Sequence, residues 1–176
     1  MATNKEIMEN EVNNLPTKEE VLMNEDELLL GLLSATQEIE ETTKTIRIER
    51  NGKLHFQFKI RPISDEEIQK CMKACTKYYK NPAGKNLPKI EGETDWVAYK
   101  AKKIYAATVD SDKAKLWDNP KIKDALMQKL GIDTLLPEDV INASLLPGEK
   151  NRISEIIDEL SGYSNEEVTE EEYAKN

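Results

Sequence analysis

The sixteen residues TIRIERNGKLHFQFKI, 45–60, constrain this chain more than any other stretch. Ile46 and Ile48 alternate with polar residues, and so do Leu54, Phe56, Phe58 and Ile60. Period two marks strands with one buried face. Asn51-Gly52 marks a turn between them. A plain two-residue loop would set Ile48 against His55 and Arg47 against Phe56, apolar opposite polar. A three-residue loop, Arg50-Asn51-Gly52, pairs Ile48 with Leu54 and Ile46 with Phe56. The expectation is therefore a type I turn with Gly52 in the left-handed bulge position. An isolated hairpin is marginal in water, so its apolar face needs a cover.

That cover follows in sequence. Pro62 disfavours helical backbone at Arg61 and ends the strand pattern. Ser64 and Glu67 have the spacing of a capping box, with Asp65 and Glu66 suited to the positive end of a helix dipole. A helix is expected from about 65 to 80. Ile68, Cys71, Met72, Cys75, Tyr78 and Tyr79 would line its apolar face, packed on the hairpin. Lys70, Lys73, Lys77 and Lys80 would form a stripe opposite. NPAGKNLPKIEGE, 81–93, reads as a loop. Thr94 can cap a helix to about 109, with Val97, Ala101, Ile104, Tyr105 and Thr108 on one face. Trp96, Tyr99, Lys100 and Lys103 lie around another. Asp110-Ser111-Asp112 reads as a helix break. Asn119-Pro120 starts a helix that Gly131 can end. Pro137 starts a short helix through about Ser144. Pro147-Gly148 opens another, with Ile153, Ile156, Ile157 and Leu160 in one stripe and Gly162 past its end.

The fold class expected is α+β and mostly helical: one N-terminal β-hairpin packed on about five short helices, between acidic flanking segments. The division expected is 1–43, an acidic extension; 44–162, the body; and 163–176, an acidic tail. In the extension, residues 1–16 read as a disordered acidic tail. Thr17–Glu20 and Asn24–Glu27 both have capping-box spacing. The second precedes Leu28, Leu29, Leu30, Leu32 and Leu33, so a short helix is expected there, followed by a polar linker at 34–44. That much leucine should dock on the body or on a partner.

Charge follows the same division. Residues 1–41 hold 11 acids and 2 bases, residues 42–148 hold 14 acids and 20 bases, and residues 149–176 hold 9 acids and 3 bases. A mildly basic body thus sits between acidic flanks, and the net charge of -9 argues against general affinity for phosphate backbones. The start, MATNKEIMENEV, lacks the pattern of a secretory signal, and LLLGLL at 28–33 is too short to span a bilayer. Two cysteines, Cys71 and Cys75, four apart on one expected helix, read as small core residues in a reducing compartment.

No motif points to catalysis. The Gly-Lys of NPAGKN lacks the earlier Gly and the following Ser/Thr of a phosphate loop. His55 is the only histidine, which leaves the cysteines short of a closed zinc site and rules out a His-based acid/base pair. The Asp110-Ser111-Asp112 triplet lacks the rest of a calcium loop. No cofactor or metal is expected. Two features can mark a binding surface instead. One is the Lys70/Lys73/Lys77 stripe. The other is Trp96 with Tyr99, Lys100 and Lys103, aromatics beside cations that can anchor a partner. Either can equally be ordinary solvated or packing surface.

FKIRPISDEE, KACTK, TDWVAYKAKKIYAATV, LWDNPKIKDALMQKLGI and LLPEDVINASLLPGEKNRISEIIDELSGY resemble the XkdN-like phage tail assembly chaperones over about residues 44–162. The resemblance implies a non-enzymatic assembly factor of the bacterial host cytoplasm, absent from the finished particle. It implies as partner the tape measure protein, a long and largely helical chain kept soluble until tube subunits polymerise around it. The tail tube protein is a second candidate partner; neither nucleic acid nor membrane is expected. A groove near Trp96, Tyr99 and Tyr105 is the expected client site, with nearby lysines selecting acidic segments. Two other classes stay open: a structural tail or baseplate component retained in the particle, and a nucleic-acid binder using the lysine stripe.

Overall fold

The computed structural model describes residues 18–84 and 86–163. The acidic tails expected at 1–16 and from 164 onward lie outside them. The chain divides into two units, 1–41 and 42–176.

Among the described residues of the first unit is one helix, α1, Lys18–Glu41. The expectation of a short helix and a polar linker is corrected here. Asn24 lies inside α1 rather than at its start, and SATQEIEE at 34–41 continues the helix. The physical reason is composition: this segment lacks Gly and Pro, and Ala, Gln and Glu are strong helix formers.

The second unit begins with the hairpin of β1, Lys44–Arg50, and β2, Lys53–Ile60. Asn51 and Gly52 both take positive φ, 53° and 73°, so the turn is the two-residue type I′ form and not the expected three-residue one. Arg50 pairs with Lys53 and Glu49 with Leu54, then the register shifts to Ile48 opposite Phe56 and Ile46 opposite Phe58. His55 is the extra residue. The mismatch that argued against a tight turn is removed by a β-bulge one pair further along, which returns every later apolar residue to the buried face.

Arg61-Pro62 then turns the chain into α2, Asp65–Cys75. Its capping box is formed as the sequence indicates, Ser64 Oγ accepting from Glu67 N–H and the Glu67 carboxylate accepting from Ser64 N–H. The helix stops at Cys75, five residues short of expectation. Thr76–Tyr79 forms β3, which pairs antiparallel with β4, Ile90–Thr94, across a segment that reads as loop. Thr-Lys-Tyr-Tyr has the β-branched and aromatic residues that favour a strand once a partner is present. Tyr79 lies so close over Gly92 that a Cβ there would meet the ring at 2.2 Å. Among the described residues the sheet content is thus two separate hairpins, not one.

α3, Trp96–Ala107, is capped by Asp95, whose carboxylate accepts from Val97 and Ala98 N–H at 3.0 Å; the expected cap, Thr94, pairs instead with Thr76 Oγ1 at 2.9 Å. α2 packs on α3 rather than chiefly on the hairpin, and so do the two late helices. After α3, residues 107–109 run along the outer edge of β2. Arg61 N–H donates to Ala107 O, Val109 N–H to Lys59 O, and Thr108 bridges Ile60. The helical run breaks at Thr108-Val109, next to the Asp110-Ser111-Asp112 triplet, which starts a new helix, α4, Asp110–Lys115; Asp112 accepts from Lys59 N–H at 2.7 Å. α5, Pro120–Leu130, ends at Gly131 with φ 68°; α6, Pro137–Ser144, and α7, Pro147–Leu160, begin at their prolines. All three have the limits read from the sequence.

One apolar core joins these elements: Ile46, Ile48, Phe58 and Ile60 from the hairpin, Ala101 and Ile104 from α3, Val140 and Ile141 from α6, Ile153 and Ile157 from α7. At its centre is Trp117, 1% exposed. Its ring meets Phe58 edge-on at 5.2 Å, and its Nε1–H donates to Thr108 Oγ1, so its one polar atom is satisfied. A smaller cluster of Cys71, Cys75 and Tyr99 joins α2 to α3.

Two arginines tie the hairpin to helices by one device. At one end Arg50 grips Glu149 with two bonds of 2.7 and 2.9 Å and reaches Ser144 O. At the other Arg61 grips Glu67 at 2.6 and 3.2 Å and reaches Ala106 O. Each glutamate also accepts the N–H that opens its helix, from Leu146 or Ser64. Paired forks of this kind are among the stronger polar contacts. Arg61 and the helix start hold the Glu67 carboxyl down at about 2, and Arg50 holds that of Glu149 below its ordinary value.

Candidate partner-binding surface

The surface is built on the first turn of α3. Asp95 caps that turn and fixes Trp96 and Val97 at the corner where β4 becomes helix. Trp96 is 56% exposed, and Val97 is exposed with it. The Trp96 indole stands edge-on to Tyr99 at 5.6 Å. Tyr99 is buried against Cys71 and Cys75 and thus anchors the exposed indole to the α2–α3 junction. Burial pushes the Tyr99 phenol and both thiols up from their ordinary values. The cysteines are packing groups here.

The lysines named from the sequence divide. Lys100 Nζ donates to Asn151 Oδ1 at 2.6 Å and stays partly exposed. Lys103 is 3% exposed; its Nζ meets Asp158 at 2.6 Å, Ser154 Oγ at 2.9 Å and Ser154 O at 3.2 Å. It links α3 to α7. Trp96, Tyr99, Lys100 and Lys103 therefore share one face of α3, but Lys103 is spent inside the protein.

Tyr105 is not part of this group. Nine residues past Trp96, it lies about 180° around the helix and about 13 Å along it. Its hydroxyl donates to Asp118 Oδ2 at 2.9 Å and its ring carries Lys113 Nζ at 5.3 Å. Burial and Asp118 push its phenol up to about 12. The expected groove joining Trp96 to Tyr105 does not form on one face.

The lysine stripe is corrected as well. Lys70 and Lys73 are on α2, with Lys70 paired to Glu66 at 2.8 Å, whereas Lys77 is on β3 and Lys80 follows it. What replaces the stripe was missed from the sequence. The β3–β4 hairpin leads directly into Trp96 and exposes Tyr78, Tyr79 and Ile90, with Leu87 in its connection. Lys73, Lys77, Lys80 and Lys89 are exposed around it. The signal was present in TKYY and KIEGET, but the helical period of 65–80 masked it. Chemically the surface offers apolar contact framed by lysines and by the carboxylates of Glu91, Glu93 and Asp95. Among the described residues no group of three or more His, Cys, Asp or Glu is placed to hold a metal, and no helix is long and apolar enough to cross a membrane.

A family model described as the phage XkdN-like tail assembly chaperone protein matches residues 29–175. No curated protein and no solved structure matches the chain. The family match covers the body and the second half of α1, and the chain belongs to the XkdN-like phage tail assembly chaperone family.

Proposed function

We propose that this tail assembly chaperone binds the tape measure protein, keeps it soluble in the host cytoplasm while tube subunits polymerise around it, and leaves before the particle is complete. Family membership gives the assembly role and phage tail proteins as the partners. The observation that carries the finer reading is exposed Trp96 and Val97 on a capped, well-anchored corner that directly follows a hairpin with exposed Tyr79 and Ile90 paired on one face. An apolar surface held rigid in this way can receive the apolar stripe of a client helix with little ordering cost. Lys73, Lys77, Lys89 and Lys100 around it favour client segments that carry acids beside that stripe. The tail tube protein, which meets the same client, is the second partner proposed.

Co-expression with the tape measure protein of the same phage tests this. The client is expected in the soluble fraction with this chain and in the pellet without it. Trp96→Ala is expected to return much of the client to the pellet while the chain itself stays folded, because Trp96 is exposed. Undiminished rescue by Trp96→Ala combined with Tyr79→Ala would place the client elsewhere. Recovery of this chain in finished particles at fixed copy number would make it a structural component instead.

A further inference from the structure

Two lysines are buried in the body, and they are treated differently. Lys103 meets Asp158, and the half-buried Arg50, Arg61 and Lys102 meet Glu149, Glu67 and Glu138, all at 2.6–2.7 Å. Lys150 is 7% exposed, yet its Nζ donates to a neutral amide, Asn142 Oδ1, at 2.6 Å. An ammonium has three N–H donors, and a buried cation without a counter-charge is costly. Among the described residues no carboxylate pairs with it. Glu149, its neighbour on α7, is held by Arg50, and Glu138, one turn from Asn142 on α6, is held by Lys102. The charge that does act on Lys150 has the same sign. Burial, and then Lys100 on α3, push its ammonium down from the ordinary value.

Lys100 is in the same position. Its partner is also an amide, Asn151 Oδ1, and it too lacks a carboxylate among the described residues. Each asparagine turns its carbonyl oxygen to a lysine, which leaves its NH2 to donate elsewhere. α3, α6 and α7 thus assemble a set of donors: two ammoniums and two amide NH2 groups. We infer that Lys150, Lys100, Asn142 and Asn151 form a subsite for a carboxylate side chain of the client. The inference rests on the client surface proposed at Trp96, because Lys100 lies one turn from Trp96 on the same face of α3, about 6 Å along it. A client helix with an apolar residue on the indole brings a residue one turn away over the lysines. Asp or Glu there supplies the missing counter-charge through charge-assisted bonds. Lys150 therefore selects among clients, whereas Trp96 supplies the apolar contact.

The chemistry is tested on the isotope-labelled full chain by NMR, with sodium acetate against sodium chloride at equal ionic strength. Acetate is expected to shift the side-chain amide signals of Asn142 and Asn151 along a saturating curve, and chloride is not. Lys150→Met, which keeps the unbranched stem, is expected to abolish that curve, and Lys100→Ala to weaken it about threefold. Urea unfolding checks the fold, which Lys150→Met is expected to leave as stable or more so, since it removes a buried cation. The source of the carboxylate is tested by co-purifying co-expressed client with the tagged chain. Recovery is expected to fall about fivefold in Lys150→Met. Trp96→Ala is expected to lower it as well, but to leave the acetate curve unchanged. An acetate response no larger than that to chloride, or one that Lys150→Met or Lys100→Ala leaves intact, overturns the inference. Full client recovery by Lys150→Met beside a loss in Trp96→Ala overturns it too, and the client surface stands. Full recovery by both variants overturns the client surface itself, and with it the client as source of the carboxylate.

Discussion

Helices α1 and α3 contain similar kinds of residue and treat them in opposite ways. α1 leaves Leu28, Leu29, Leu30, Leu32 and Leu33 in solvent, whereas α3 buries Ala101, Ile104, Ala107 and even the ammonium of Lys103. Apolar content therefore does not decide burial. Partners converging from distant parts of the chain do: α3 receives α2, α6 and α7 around its circumference. Lys103 can be enclosed because Ser154 and Asp158 on α7 supply three acceptors. One helix is a structural axis and the other presents a surface.

The largest test of that contrast is the core around α3. Trp117→Ala is expected to cost about 3–5 kcal/mol, measured by urea unfolding, because it empties the centre and removes the donor to Thr108 Oγ1, which keeps its bond to Ile104 O. Asp158→Ala should follow, at about 2–3 kcal/mol, since it strands a buried cation while leaving the smaller Ser154 contacts. Gly92→Ala is expected to cost about 1–2 kcal/mol by forcing Tyr79 off the strand, with β3–β4 amides losing exchange protection first. Acidification comes next. The Glu67 carboxyl is depressed from 4.5 to about 2, so its contribution is full above pH 4.5 and disappears as pH falls towards 2. Allowing for its partial exposure, Glu67→Gln should flatten that acid limb by about 1 kcal/mol. The smallest effect is expected on α1, where Leu29→Ser should stay within about 0.5 kcal/mol. A loss there as large as that at Trp117 would break the comparison, because α1 would then be part of the core.

What the sequence made legible followed from local rules. Asn119, Pro120, Gly131, Pro137 and Pro147 act within a few residues of themselves, and their helices start and stop as read. Ser64–Glu67 is the same case. The failures share another cause. Tyr78 and Tyr79 continue a helical period equally well as Cys75 does, and only the distant strand Ile90–Thr94 makes them β. The turn type was misread because His55 absorbs the register error, a remedy no pairing pattern announces. In the candidate surface, Trp96, Tyr99, Lys100 and Lys103 do share a face. Tyr105 was misassigned and Lys103 was spent, because the sequence does not say that Asp118 and Asp158 reach them.

The links that close the hairpin onto the helices have a consequence for synthesis. Arg50 waits for a glutamate 99 residues later, and Ile63 N–H for Ser161 Oγ, 98 residues later. At about 5–20 residues per second the ribosome leaves β1 without its last partner for about 5–20 s. During that interval Ile46, Ile48 and Phe58 have only provisional cover. A chaperone built this way passes through its own window of vulnerability, and translation that stops short of α7 yields a chain whose largest apolar surface never closes.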